Sequence, residues 1–205
     1  MKDTRRLVFL VSLVGVLSVS VAVGTVAAQS APDCLTVTYN GDGSEANPYE
    51  VGDVDQLQCI NEQGLSANYV QVSDIDASGT SEWNGGRGFE PIGEFTVPTF
   101  PDRTRDTEFR GTFDGGNYTV SELTIDRGDT NFVGLFGGVE SALLENVSLN
   151  NINITGNEGV GGLTGVNING TVTESYATGT VSGDASGNED VGALVGKNSG
   201  TVTDS

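Results

Sequence analysis

Short stretches of alternating apolar and polar residues make up the chain from Phe109 onward. Valine, leucine and isoleucine occupy every second position, threonine, serine and asparagine stand between them, and glycine or asparagine closes each stretch. Such alternation places apolar side chains on one face of a strand and polar side chains on the other. The pattern predicts a series of short β-strands joined by tight turns.

One of these stretches recurs at an interval of about 30 residues. Residues 133–137, 160–165 and 191–196 each begin with Val-Gly and end in glycine, and these closing glycines lie 28 and 31 residues apart. Strand-rich repeats of this length are typical of a solenoid, whose coils stack about 4.8 Å apart and bury apolar residues between them. We therefore predict an all-β solenoid, with a β-sandwich as the alternative. The repeated positions are Gly134, Leu135, Gly137, Gly162, Leu163, Gly165, Gly192, Leu194 and Gly196.

A short helix is predicted ahead of the repeats. Asp53 can accept a hydrogen bond from the first turn of residues 54–62, and Leu57 and Ile60 lie on one helical face. Residues 69–72 alternate in polarity and predict a strand.

The end of a solenoid needs a cover, because an exposed strand edge binds other chains. Residues 29–106 contain the predicted helix and the single tryptophan, Trp83. We expect this region to form an irregular N-terminal cap and residues 107–205 to form the repeats.

The first residues resemble an export signal. Three bases within the first six positions precede an apolar segment over residues 7–26, and Val26 and Ala28 fit a cleavage site. This predicts a signal peptide over residues 1–28 that directs export by either the general secretory or the twin-arginine route. The alternative is an uncleaved anchor, since about 20 apolar residues span a bilayer. The expected location is extracellular or at the cell surface, with membrane contact only through this segment if it stays uncleaved.

Composition excludes several kinds of site. The chain has no histidine and two cysteines, which excludes Ser-His-Asp and Cys-His nucleophiles as well as histidine-bound or cysteine-rich zinc. Its 28 acidic and 9 basic residues give a net charge of −19, which argues against nucleic acid or anionic lipid as a partner. Self-repulsion of this size is screened at molar salt, where the Debye length is about 3 Å. We therefore expect the protein of an extreme halophile.

Two further features follow from export. Cys34 and Cys59 are the two cysteines of the chain, and an oxidising compartment favours a disulfide between them. Such a bond would stabilise the folded state by roughly 3.5 kcal/mol. The alternative is two buried free thiols. Four Asn-x-Ser/Thr sequons occur, and we expect one or two to carry glycans. Their asparagines are Asn117, Asn146, Asn153 and Asn169.

The repeats resemble the GLUG-motif family, named for a Gly-Leu-x-Gly sequence. Residues 162–165 read Gly-Leu-Thr-Gly, 134–137 read Gly-Leu-Phe-Gly, and 193–196 read Ala-Leu-Val-Gly, and the resemblance extends over roughly residues 45–205. It implies a right-handed parallel β-helix. The family occurs in bacterial immunoglobulin-cleaving metallopeptidases, adhesin-like proteins and exported haloarchaeal proteins, and the peptidase activity belongs to a separate zinc domain. The histidine-free chain lacks that domain.

The third repeat departs from the second by stopping at Ser205, which corresponds to Ser175. A solenoid that stops within a coil leaves an apolar face uncovered. We expect a fragment of a longer repeat protein, and the alternative is that another molecule covers this end.

These observations predict an exported structural or adhesive surface module without catalysis or cofactor. It would display a rigid, acidic, glycosylated solenoid to a surface glycan or a protein ligand. The first alternative is a β-helical polysaccharide lyase or hydrolase, for which Asp74, Asp76, Asp114 and Arg110 are the candidate residues, with Asp74 and Asp76 as weak calcium ligands. The second is the N-terminal fragment of a larger surface protein with its activity beyond Ser205.

Overall fold

The computed structural model describes residues 30–95, 107–183 and 190–205. These ranges form fourteen β-strands, two short α-helices and one 3-10 segment. The predicted signal peptide and most of the loop after Phe95 lie outside the described residues. Among the described residues, no helix is both long and apolar enough to cross a membrane.

The elements follow one another in this order: β1 (Tyr49–Val51), α1 (Val54–Gln58), α2 (Ile60–Gln63), β2 (Tyr69–Gln71), β3 (Ile75–Asp76), the 3-10 segment (Ser78–Gly86), β4 (Thr112–Asp114), β5 (Thr119–Ser121), β6 (Thr124–Asp126), β7 (Phe136–Glu140), β8 (Leu143–Glu145), β9 (Ser148–Thr155), β10 (Val160–Gly161), β11 (Thr164–Thr173), β12 (Tyr176–Ser182), β13 (Val191–Gly192) and β14 (Val195–Thr203).

These strands form three parallel sheets. The first has the order β1-β2-β4-β8-β11-β14, with β7 also paired to β11. The second has the order β12-β9-β5-β3, with β6 also paired to β9, and the third joins β10 to β13. Parallel partners cannot be joined by a tight hairpin, so the chain leaves each sheet and returns before it adds the next strand. The structure is therefore mostly β with parallel sheets, which confirms the coarse prediction and differs from the antiparallel pairing of a β-sandwich.

The strand register follows the predicted repeat. Thr164 of β11 lies opposite Phe136 of β7 on one side and opposite Val195 of β14 on the other. Each of these residues directly precedes a closing glycine of the repeat. The spacing in the sequence thus equals the register of the sheet. Below, the word coil means one repeat with the strands that it contributes, so that β7 to β9, β10 to β12 and β13 to β14 are three successive coils.

One column of apolar side chains runs through the first sheet. Tyr69, Phe113, Leu144, Val172 and Val202 pair in succession from β2 to β14. The first four are buried, with exposed fractions of 1% or less, whereas Val202 is 39% exposed. The core is therefore built by stacking, and it opens at β14.

The predicted helix and strand ahead of the repeats are confirmed. The backbone N–H of Gln56 donates to the carboxylate of Asp53 over 2.8 Å, and Leu57 and Ile60 are fully buried. Cys59 interrupts the helix and separates α1 from α2. The predicted strand over residues 69–72 is β2.

The parallel sheets begin before residue 107, within the region expected to be an irregular cap. Strands β1 and β2 continue the first sheet beyond β4, and β3 continues the second beyond β5. These strands are only two or three residues long, so their alternation is too brief to reveal a repeat in the sequence.

Candidate functional surface

The closing glycines of the repeat leave room for the neighbouring coil. A Cβ atom at Gly165 would lie 2.7 Å from the carbonyl oxygen of Gly137, and one at Gly196 would lie 2.6 Å from that of Gly165. Both distances are shorter than real Cβ contacts. Glycine is therefore required at these positions by close backbone approach, and φ is not positive at any of the three.

The leucines of the repeat point into the core between coils. Leu135 and Leu163 are fully buried. Leu194, at the same position of the last repeat, packs against the core but is only partly buried. The same motif is thus buried where a further described coil packs on it and half-exposed in the last described coil.

A pair of asparagines adds a polar ladder that the sequence analysis did not identify. The Nδ2 of Asn167, which is fully buried, donates to the Oδ1 of Asn198 over 2.9 Å and to the carbonyl oxygen of Gly170 over 3.2 Å. The N–H groups of Gly170 and Gly200 donate to the Oδ1 atoms of Asn167 and Asn198. The available signal was an asparagine two residues after the closing glycine in both repeats.

The last coil presents a face that we call the open face, formed by β13, β14 and the turn between them. Val191 and Val202 are 40% and 39% exposed, whereas Val160 and Val172, their partners in the preceding coil, are fully buried. The preceding coil uses these same motif positions to hold the last coil. The open face therefore repeats a surface that already packs against a coil elsewhere in the molecule.

The two candidate calcium ligands each accept a backbone hydrogen bond. Asp74 Oδ1 accepts from the N–H of Thr119, and Asp76 Oδ1 accepts from the N–H of Ser78, both over 2.9 Å. The bond from Ser78 holds the pKa of Asp76 below its ordinary value. Within the described ranges, neither residue belongs to a group of three potential ligands close enough to share an ion.

The other two residues named for catalysis contact different partners. Asp114 Oδ1 accepts from the N–H of Gly116 and from Nδ2 of Asn146, each over 2.9 Å. Arg110 forms ion pairs with Glu108 and Glu140. These contacts connect neighbouring turns and strands.

An acidic column crosses the coils on the outer side of the first sheet. Asp114 lies directly opposite Glu145 in the register of β4 and β8. Burial, followed by repulsion from Asp114 and Glu174, raises the pKa of Glu145 above its ordinary value. Packing of the coils thus places like charges beside one another.

The four sequons differ in how accessible their amide nitrogens are. Asn117, Asn153 and Asn169 are exposed. Asn146 is half-buried, and its Nδ2, the atom to which a glycan would be attached, donates to Asp114. Exposure therefore separates three sequons from the fourth.

The predicted disulfide is present in the structure. Cys34 and Cys59 are bonded, with their Cα atoms 5.3 Å apart. The bond joins the segment before β1 to the junction between α1 and α2.

Comparison with known proteins points to GLUG repeats. The family model for the GLUG motif matches residues 156–182, which confirms the resemblance there and covers β10, β11 and β12. The chain is 40% identical over 168 residues to Halomucin of Haloquadratum walsbyi, a match that covers 80% of this chain and 2% of Halomucin. It is 32% identical over 173 residues to a protein of Evansella cellulosilytica whose name describes a Gly-rich membrane protein, covering 82% of this chain and 18% of that relative. The chain thus spans a small fraction of either relative, and no solved structure matches it significantly.

Proposed function

We propose that this GLUG-motif chain is a module of an exported surface protein, with a structural or adhesive role and no catalysis. The observation that carries the proposal is the repeated contact between coils. One coil, β10 to β12, packs against both of its neighbours through the same glycine, leucine and valine positions. A surface built in this way extends by repetition and presents the same outer positions at regular intervals.

The proposed architecture is a right-handed parallel β-helix. Its support is the stacking of parallel strands in the first and second sheets, with β10 and β13 along a third side. Apolar columns in the first two sheets face the same core, and Ile125 and Ile154 pair in the second sheet as Phe113 and Leu144 do in the first.

The proposed location is the cell surface. The supporting observations are the signal-like first 28 residues, the disulfide, and the names of the two relatives, Halomucin and a Gly-rich membrane protein. The excess of acidic residues supports a halophilic setting, because such a charge is tolerated best where salt screens it.

Fractionation of the native cells tests this proposal. Peptides of the chain, including those from the open face, are expected in the surface or medium fraction and not in the cytoplasm. The mature chain is expected to begin after Ala28. A cytoplasmic protein with an intact leader would contradict the proposal. The mass of the intact native protein, together with peptide mapping of both of its ends, gives its extent.

Glycans on the exposed sequons form part of the same proposal. We expect occupancy at one or two of Asn117, Asn153 and Asn169, and none at Asn146, because its Nδ2 is engaged with Asp114. Mass spectrometry of glycopeptides from the native protein measures each site separately. Occupancy at Asn146 alone would contradict this order of accessibility.

A further inference from the structure

The open face differs from the rest of the molecule in its charge. Lys197 is the single charged residue within positions 191–203, although the whole chain carries a net charge of −19. It forms an ion pair with Asp190 over 3.4 Å. The matching stretch of the preceding coil, residues 160–173, contains no charged residue. Two surfaces of this kind can therefore meet without the repulsion that acts between the acidic parts of two chains.

The edge of β14 is open among the described residues. β14 pairs with β11 on one side and is the last strand of the first sheet. It is nine residues long and contains no proline. Such an edge presents backbone N–H and C=O groups to which a further strand can pair. Val202 lies on this strand and is 39% exposed, so a paired strand would also remove apolar surface from water.

The asparagine ladder gives this edge a direction. Asn167 uses both of its side-chain N–H groups, one toward the carbonyl oxygen of Gly170 and the other toward Oδ1 of Asn198 in the following coil. Asn198 repeats the internal contacts: its Oδ1 accepts from the N–H of Gly200, and its Nδ2 lies 3.4 Å from the carbonyl oxygen of Gly200. Its second N–H has no acceptor in the part of the chain that the structure describes, and its side chain is exposed. Asn198 thus carries a free donor where Asn167 donates to the next coil.

The residue at this ladder position distinguishes one coil from another. Val139 occupies it in β7, where it lies opposite Asn167 and is buried. A coil with valine at this position would cover Asn198 and leave its N–H buried without an acceptor, which is unfavourable. A coil with asparagine offers an Oδ1 atom, as Asn198 offers one to Asn167. The free donor therefore favours a partner coil with asparagine over one with valine.

We infer that the open edge of β14 binds a GLUG coil of a second chain, in parallel register and with an asparagine opposite Asn198. The incoming strand would place an apolar residue on Val202, as β14 places Val202 opposite Val172. The contact continues one that the molecule already makes on both sides of β11. Docking of this kind deepens the proposed adhesive role and rests on it, because it names GLUG chains as the partner.

Titration of a fluorescent peptide with the mature form of the chain tests this docking in molar salt. The peptide copies residues 156–182, which comprise β10, β11 and β12 and include Asn167. We expect its fluorescence anisotropy to saturate with a Kd of about 100 µM or lower. The methyl NMR signals of Val202 should shift on saturation, whereas those of Val51, in β1 at the other end of the first sheet, should not.

Substitution of asparagine by aspartate on either partner tests the hydrogen bond and its direction. Asn198→Asp keeps the oxygen that accepts from Asn167 and Gly200 but removes the free donor. It should weaken peptide binding about tenfold or more without lowering the urea midpoint of the protein. The Asn167→Asp peptide keeps the acceptor and should bind within about threefold of the unmodified peptide, whereas the Asn167→Val peptide lacks it and should bind about tenfold more weakly.

Asn153→Asp is the matched control in the protein. It makes the same change at an exposed position of β9 in the second sheet, and it should leave peptide binding unchanged. No saturation up to about 1 mM protein, equal binding by the Asn198→Asp variant, or a shift of Val51 in place of Val202 would refute docking at β14.

Sedimentation of the protein without peptide examines the other possible occupant. A stable dimer that the peptide does not dissociate would assign the edge to a second copy of this chain and overturn the inference. A monomer that binds the peptide supports it. None of these results bears on the surface location, which the fractionation of native cells tests separately.

Discussion

At the scale of single residues, the glycine that closes each repeat allows the backbones of two coils to approach closely. The atoms nearest to a Cβ at Gly165 are backbone atoms of Phe132, Val133 and Gly137, which cannot rotate away as a side chain would. Even one methyl group at this position therefore forces the two coils apart.

The change Gly165→Ala is expected to lower the free energy of unfolding by about 1–3 kcal/mol, the usual cost of overpacking. Urea unfolding at constant molar salt measures it. Gly128→Ala is the matched control, because its Cβ would lie 3.8 Å from the nearest atom, in ordinary contact with Thr155. The control should stay within about 0.5 kcal/mol of the unmodified chain. Equal loss in both variants would show that the backbone contact is not the cause.

Glu145 makes the stability of the fold depend on pH. Its pKa is raised in the folded state, so its contribution is fully present below the unfolded pKa and is lost as the pH rises through the folded value. Glu145→Gln keeps a neutral side chain at every pH. We expect the variant to be more stable at pH 7 by less than about 1 kcal/mol, because solvent screens this partly exposed group.

Urea midpoints at several pH values check the sign for Glu145. The gain should disappear below about pH 4, and at pH 7 it should shrink as salt is added. Asp76→Asn is a control of opposite sign, since the pKa of Asp76 is lowered and its contribution is lost as the pH falls. A gain from Glu145→Gln that stays constant with pH would refute the electrostatic explanation.

At the scale of elements, the disulfide and its neighbours attach the first described segment to the helices. Tyr39 donates from its hydroxyl to the carbonyl of Gln56, and Nε2 of Gln56 donates to the carbonyl of Thr38 over 2.8 Å. Burial raises the pKa of Tyr39, with further contributions from Asp53 and Glu62. The segment from Cys34 to Thr38 is therefore joined to α1 covalently and by hydrogen bonds.

Replacing both cysteines by serine is expected to lower the free energy of unfolding by about 2–4 kcal/mol, because the loop closed by the bond spans 25 residues. Urea unfolding with and without a reducing agent measures the effect. The reducing agent should shift the unmodified chain to the midpoint of the Cys34→Ser, Cys59→Ser variant and leave that variant unchanged. An unmodified chain whose urea midpoint does not change with the reducing agent would contradict this expectation.

At the scale of the whole molecule, net charge and stacking oppose each other. The chain carries a net charge of −19, and the coils bring carboxylates such as Asp114 and Glu145 into register. The apolar columns must therefore outweigh a repulsion that dissolved salt reduces.

Dialysis from molar salt to about 0.1 M is expected to unfold the mature protein, since the Debye length then rises to about 10 Å. Far-UV circular dichroism at each step follows the loss of β-structure. Sucrose added at low salt is the control, because it favours compact states through exclusion and leaves charges unscreened. Retention of full structure in about 0.1 M salt without sucrose would refute the halophilic interpretation.

Local patterns in the sequence were sufficient for part of this description. Alternation predicted the strands, the spacing of Gly137, Gly165 and Gly196 predicted the repeat that the register follows, and Asp53 predicted the start of α1. These features repeat over a few residues or at one fixed interval, so each can be recognised without knowing the fold. The all-β class and the GLUG resemblance follow from the same signals.

Contacts between distant segments decided the rest. The pairing of Asn167 with Asn198, the engagement of Asn146 by Asp114 and the inclusion of β1 to β3 in the sheets arise only when coils are stacked. The sequence by itself determined the repeat and the polarity of each strand, because these depend on neighbouring residues. The tertiary structure alone decided which polar groups are paired, buried or left free, because a partner's identity depends on which distant segments pack together.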